Sequence, residues 1–156
     1  MSKYQLAQIN IAKMKGVNID DPIMQEFVDN LDKVNALAEQ SEGFVWRLKD
    51  EESNNATSLN PYGDEQIVVN ISVWENIETL EHFVYKTFHT DFLKRRKEWF
   101  LRFGKTYAAM WWIPAGKFPT AQEAAEKLAY LQQNGASEMV FDYKDKFPSP
   151  NKKVKK

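Results

Sequence analysis

The stretch Ile67 to Trp74, IVVNISVW, constrains the chain more than any other, because only an extended strand sorts it into two coherent sides. Ile67, Val69, Ile71 and Val73 fall on one side, and Val68, Asn70, Ser72 and Trp74 on the other. A side made entirely of β-branched residues belongs in a sheet core. Similar alternation over 4–12 puts Tyr4, Leu6, Gln8 and Asn10 opposite Gln5, Ala7, Ile9 and Ile11, predicting a second strand. FVWRL (44–48), YAAMWWI (107–113) and a short MVFDY (139–143) complete the strands.

Between them lie helical patterns. Asp21 followed by Pro22 is an N-cap with proline at the first helical position, and Ile23, Phe27, Leu31, Val34 and Ala38 recur at helical spacing, predicting a helix over 22–39. Asn76 can cap a helix over 77–86, with a further helical stretch expected over 88–103. Thr120 and Glu123 have the spacing of a capping box, opening a helix that Gly135 ends. Residues 50–66 are nearly devoid of apolar side chains and read as one long loop.

The order β-α-β-β-α-β, with an appended helix and strand, is a ferredoxin-like α+β arrangement: an antiparallel sheet with helices on one face. The other face is expected to carry Leu6, Trp46, Trp74 and Trp111 or their neighbours, too much aromatic surface to leave in water. Pairing with a second copy would cover it, so a homodimer is expected. At 156 residues the chain is one domain, placed at 1–146 with a basic, flexible tail over 147–156.

There are no cysteines, which excludes disulfides, iron–sulfur clusters and thiol nucleophiles. No apolar run approaches a membrane span and the N-terminus lacks the apolar core of a signal peptide, so a soluble cytoplasmic protein is expected. The net charge of −1 is unevenly spread: residues 1–85 hold 6 Lys and Arg against 15 Asp and Glu, and residues 86–156 hold 15 against 7. Either the two halves attract one another or the basic half holds an anion site.

The segments NISVWE (70–75), I-x-x-L-x-x-F (77–83), Y-x-x-x-H (85–89), R-R-x-x-W-F (95–100) and WWIPAG (111–116) strongly resemble a bacterial family of uncharacterised proteins. The resemblance runs from the first strand through F-P-T-x-x-E-A (118–124) to Phe141 and implies a dimeric α+β barrel. The layout from Trp74 to His82 is similar to the wider antibiotic-biosynthesis monooxygenase superfamily. Members of that superfamily use an Asn, a Trp and a His around a pocket between sheet and helices, which implies Asn10 or Asn70, Trp74, and His82 or His89 as counterparts here. The haem-ligating His of its haem-degrading branch falls at neither offset seen here, 8 or 15 residues after Trp74, so no cofactor is expected and haem is the disfavoured exception.

If 88–103 is one helix, His89, Leu93, Arg96, Phe100 and Phe103 form a single stripe. Arg96 must then meet a carboxylate, carbonyls or a ligand anion, and His89 is either a core imidazole or a general base near neutral pH. His82 and His89 stand about 10.5 Å apart along such a helix, too far to share a metal ion, and none is expected. Trp46, Trp99 and Trp112, with Trp74, either pack a dimer core or line an aromatic pocket that Asn70 and Ser72 would orient. The basic run Lys94 to Lys97 has no nucleic-acid motif beside it, and neither nucleic acid nor membrane is an expected partner. Phosphate-cradling and hydrolase motifs are likewise missing.

Two functions fit. In the first, the protein binds a small aromatic or polycyclic molecule and acts as a cofactor-independent, monooxygenase-like enzyme: His89 takes a proton, Asn70 and Trp74 hold the substrate carbonyl, and Arg96 stabilises negative charge, with Trp46, His82, Trp99, Trp112 and Asn10 lining the pocket. In the second, the same residues are structural in a non-catalytic homodimeric binding or assembly protein.

Overall fold

The structure is a computed structural model and describes residues 3–49, 62–88, 96–101 and 106–150. Its centre is β1 (Tyr4–Met14), which pairs antiparallel with β3 (Ile67–Trp74) along one edge and with β5 (Ala108–Pro114) along the other. β2 (Phe44–Arg47) continues the sheet beyond β3, and a two-residue strand, β4 (Phe100–Leu101), pairs with the end of β1. The helices are α1 (Gln25–Glu39), α2 (Ile77–Phe88), the single turn α3 (Arg96–Trp99) and α4 (Ala121–Asn134). Strand order β2-β3-β1-β5, all antiparallel, is the ferredoxin-like α+β topology that the element order implies.

Register explains how the sheet divides its side chains. Ile9 sits opposite Ile71 and Ala109, whereas Gln8 sits opposite Ser72 and Met110, so one face is aliphatic and the other mixes polar with aromatic groups. Helices α1 and α2 pack on the mixed face. The appended helix α4 packs on the aliphatic face, where its Ala124, Leu128 and Leu131 meet Ile9, Ile71, Val73 and Trp111. All of these are buried within the single chain. The sheet surface for which a second copy was expected is therefore covered by α4, and Leu6 and Trp74 lie on the opposite, α1–α2 side.

Local signals account for most boundaries. Asp21 caps a 3-10 turn over Pro22–Met24 that leads into α1; its carboxylate accepts from the Val17 and Ile23 amides, which hold its pKa below the usual value. Thr120 and Glu123 make both bonds of the capping box, at 3.1 and 3.3 Å. Gly43 has φ +84°, and a Cβ there would collide with Thr79 of α2. Its carbonyl accepts from the Glu75 amide at 2.8 Å, so this turn pins β2 against the start of α2.

Two expectations change. The helix expected over 88–103 is interrupted: Phe100 and Leu101 leave it to pair with Met14 and Lys13, and the Lys15 amide donates to the Trp99 carbonyl at 2.7 Å. The far end of β1 extends beyond β5, and its open backbone groups take up this segment instead. Phe100 is thus on a strand and cannot share a helical stripe with Arg96. The strand expected over 139–143 contracts to one bridge, Met110 with Phe141. Beyond it, Phe147 packs on the α1–α2 side and Ser149 is buried, so packing continues into the segment assigned to the tail. Residues 50–61 of the expected loop lie outside the described residues.

Candidate small-molecule site

Between the mixed face of the sheet and helices α1 and α2 lies a cavity of about 570 Å³. Its floor is made by Gln8 and Asn10 of β1 and Asn70 and Ser72 of β3, which the antiparallel register sets side by side. Gln8 is the hub: its Nε2 donates to Asn70 Oδ1 at 2.8 Å and to Ser72 Oγ at 2.7 Å, and its Oε1 accepts from Asn10 Nδ2 at 3.0 Å. Asn10 Nδ2 also reaches Asn70 Oδ1, at 3.3 Å. Both hydrogens of the Gln8 amide are used. Asn70 Nδ2 and Asn10 Oδ1 meet no partner among the described residues, so the floor has a donor and an acceptor to offer a ligand.

Trp74 forms one wall. It is fully buried, edge-on to Phe44 at 5.5 Å and stacked on Phe83 of α2 at 5.1 Å, and its indole N–H donates to Ser72 Oγ at 2.9 Å. This satisfies the polar group that makes a buried Trp unfavourable, and fixes its ring beside the floor. Phe27, Leu31 and Val34 of α1 supply apolar surface from above.

Among the described residues, the cavity borders two charged ones. Arg47 has 4% of its side chain exposed and its Nε is 3.0 Å from Glu39 Oε2, on the last turn of α1. Glu81 of α2 is 3.0 Å from Lys146 Nζ, one contact that joins the acidic and basic halves of the sequence. Replacing Glu39 with alanine takes a charged hydrogen bond from a buried guanidinium, and thermal or urea unfolding should show a loss of about 1–2 kcal/mol, moderated because Glu39 is itself partly exposed.

Tyr85, Tyr107 and Tyr143 also border the cavity while remaining partly exposed, and they mark its opening. Desolvation, then the Glu81 carboxylate and Tyr107, push the Tyr143 phenol well above its ordinary value. Tyr143 is therefore a hydrogen-bond donor at neutral pH rather than a base. Because the folded form holds this proton more tightly, its contribution to stability is full below the ordinary tyrosine pKa, about 10, and is lost as pH rises past it. Urea titrations at rising alkaline pH should show that loss, and Tyr143→Phe should flatten it.

Of the residues expected at a site, Asn10, Asn70 and Trp74 are brought together here. Trp46 is not: a bulge between Phe44 and Trp46 sets Phe44 opposite Trp74 but Trp46 opposite Val73, so Trp46 joins the aliphatic face and stacks on Phe118 at 4.8 Å. The same bulge turns Arg47 toward the cavity. Trp99 is core, packed with Met14, Met24 and Phe27. Trp112 lies on the cavity side of the sheet but beyond the cavity, held by an N–H bond to the Phe147 carbonyl at 2.9 Å. His82 is exposed on α2 and does not border the cavity. His89 and the Arg96 side chain lie outside the described residues. Among the described residues no His lines the cavity to serve as a haem ligand, and no three His, Cys, Asp or Glu cluster as metal ligands. No described helix is long and apolar enough to cross a membrane.

Gln8, Arg47, Asn35 and Tyr143 were not anticipated. Gln8 stands in the 4–12 alternation on the face of Asn10 and was open to discovery; the bulge that turns Arg47 inward leaves no sequence signal.

Compared with solved structures, the chain is similar to SnoaB from Streptomyces nogalater, a cofactor-independent oxygenase, at 14% identity and TM-score 0.40, over 72% of this chain and 94% of that one. It is also similar to a nipsnap family protein of unknown function from Agrobacterium tumefaciens, at 9% identity and TM-score 0.43, over 76% and 95%. No curated protein matches it. Over residues 5–156 it matches the family described as "Domain of unknown function (DUF3291)", and the chain belongs to that family.

Proposed function

We propose that the protein binds a small, flat, largely apolar molecule in the cavity between the sheet and helices α1 and α2. The observation that carries this reading is the Asn70–Asn10 floor: amide donor and acceptor groups without protein partners among the described residues, facing a cavity walled by Trp74 and Phe27. Unpaired amides beside apolar walls are unfavourable in an empty core and useful against a ligand carbonyl or hydroxyl. An aromatic ligand suits the walls, since rings pack well against Trp and Phe faces and edges.

A catalytic extension, a cofactor-independent monooxygenase-like reaction of the bound molecule, is supported by Asn70 and Trp74 standing together at the cavity. It needs a base; Tyr143 is held protonated, and the base expected at His89 lies outside the described residues. Binding therefore leads, and oxygenation is the second reading.

Native mass spectrometry of protein purified from its own host, paired with an NMR titration by 2-naphthol, tests the proposal. A small-molecule adduct released on denaturation, or saturable shifts at Asn70 and Trp74 indole resonances, is the expected result. An empty protein whose resonances 2-naphthol does not move would contradict it.

A further inference from the structure

Helix α1 turns Phe27, Leu31, Val34, Asn35 and Ala38 toward the cavity, a stripe at helical spacing in which Asn35 alone is polar. Asn35 is 6% exposed, and among the described residues its carboxamide meets no hydrogen-bond partner. Its amide atoms are therefore left facing the cavity space, open to a ligand, where an aliphatic side chain would offer none. Asn35 lines the cavity from helix α1, and the Asn70 and Asn10 amides line it from the sheet. The cavity thus carries amides on both its helical and its sheet side, with apolar surface from Phe27, Leu31 and Trp74 between them.

We propose that Asn35 is a specificity-determining residue, and that the ligand is an uncharged flat ring system with hydrogen-bonding oxygen or nitrogen groups at two opposite edges. One edge meets Asn70 and Asn10; the other meets Asn35. Among the described residues that border the cavity, the charges are already engaged, Arg47 with Glu39 and Glu81 with Lys146, which favours an uncharged ligand. The inference rests on the binding reading above, and its test separates the two.

Three probes of one shape are titrated by NMR into the full chain: naphthalene, 2-naphthol and 2,6-dihydroxynaphthalene, with hydroxyls at none, one and two edges. The diol should bind about tenfold more tightly than the naphthol, the increment of one well-placed hydrogen bond. In Asn35→Leu the advantage of the diol over the naphthol should vanish, while the melting temperature stays level or rises. Asn35→Ala, which adds no bulk, should give the same loss and guards against a misfolded Leu variant. Equal affinity of diol and naphthol for the wild type, or an advantage that survives both substitutions, overturns the role of Asn35 and leaves the binding site standing. Failure of all three probes to bind overturns both.

Discussion

Trp74→Ala should lower the free energy of unfolding by about 3–5 kcal/mol, the cost of removing a large ring from a packed core. Trp74 is 1% exposed and joins β3 to α2 through the Phe83 stack and to β2 through Phe44, so its loss loosens three elements at once. It also frees Ser72 Oγ, which then keeps only Gln8. Urea unfolding supplies the measurement. Trp74→Phe keeps most of the apolar contact and removes the N–H bond, so it should cost clearly less; equal losses would mean that the indole hydrogen bond, and not packing, dominates.

Leu128 carries the second large effect. It is fully buried between α4 and the aliphatic face of the sheet, and Leu128→Ala should cost about 2–5 kcal/mol. Leu128→Asp should do more, because an unpaired carboxylate cannot remain in that layer. Detachment of α4 would expose Ile9, Ile71 and Trp111, a patch large enough to drive self-association. Light scattering with a thermal melt should show a lower melting temperature and a larger particle for this variant. A Leu128→Asp protein of wild-type stability and mass would mean that α4 does not seal the sheet.

Much of the fold was legible because its signals are local. The alternation of 67–74 fixed β3 to the residue, and the capping box of Thr120 and the proline after Asp21 marked helix starts. What escaped depends on contacts distant in sequence. Nothing in R-R-x-x-W-F shows that Phe100 and Leu101 will leave a helix to complete the edge of β1, and nothing in F-V-W-R-L shows a bulge. Without that bulge Trp46 would share a face with Phe44; with it, Arg47 does. The appended helix is visible in the sequence, but which sheet face it covers is not, because that choice depends on contacts distant in sequence. The site is half legible: strand alternation puts Asn70 and Trp74 on one face, and the superfamily resemblance implies them and Asn10 as site residues, whereas no sequence signal marks Asn35.

The most direct test of the cavity as a ligand site is to fill it. Ala108 of β5 borders the cavity beside Met110, and Ala108→Trp would place an indole in the space a ligand needs. Calorimetric titration of 2-naphthol into wild type and Ala108→Trp, with circular dichroism confirming that both are folded, decides the matter. Saturable binding by the wild type that the folded variant has lost is the predicted result; equal binding by both, or none by the wild type, would contradict it.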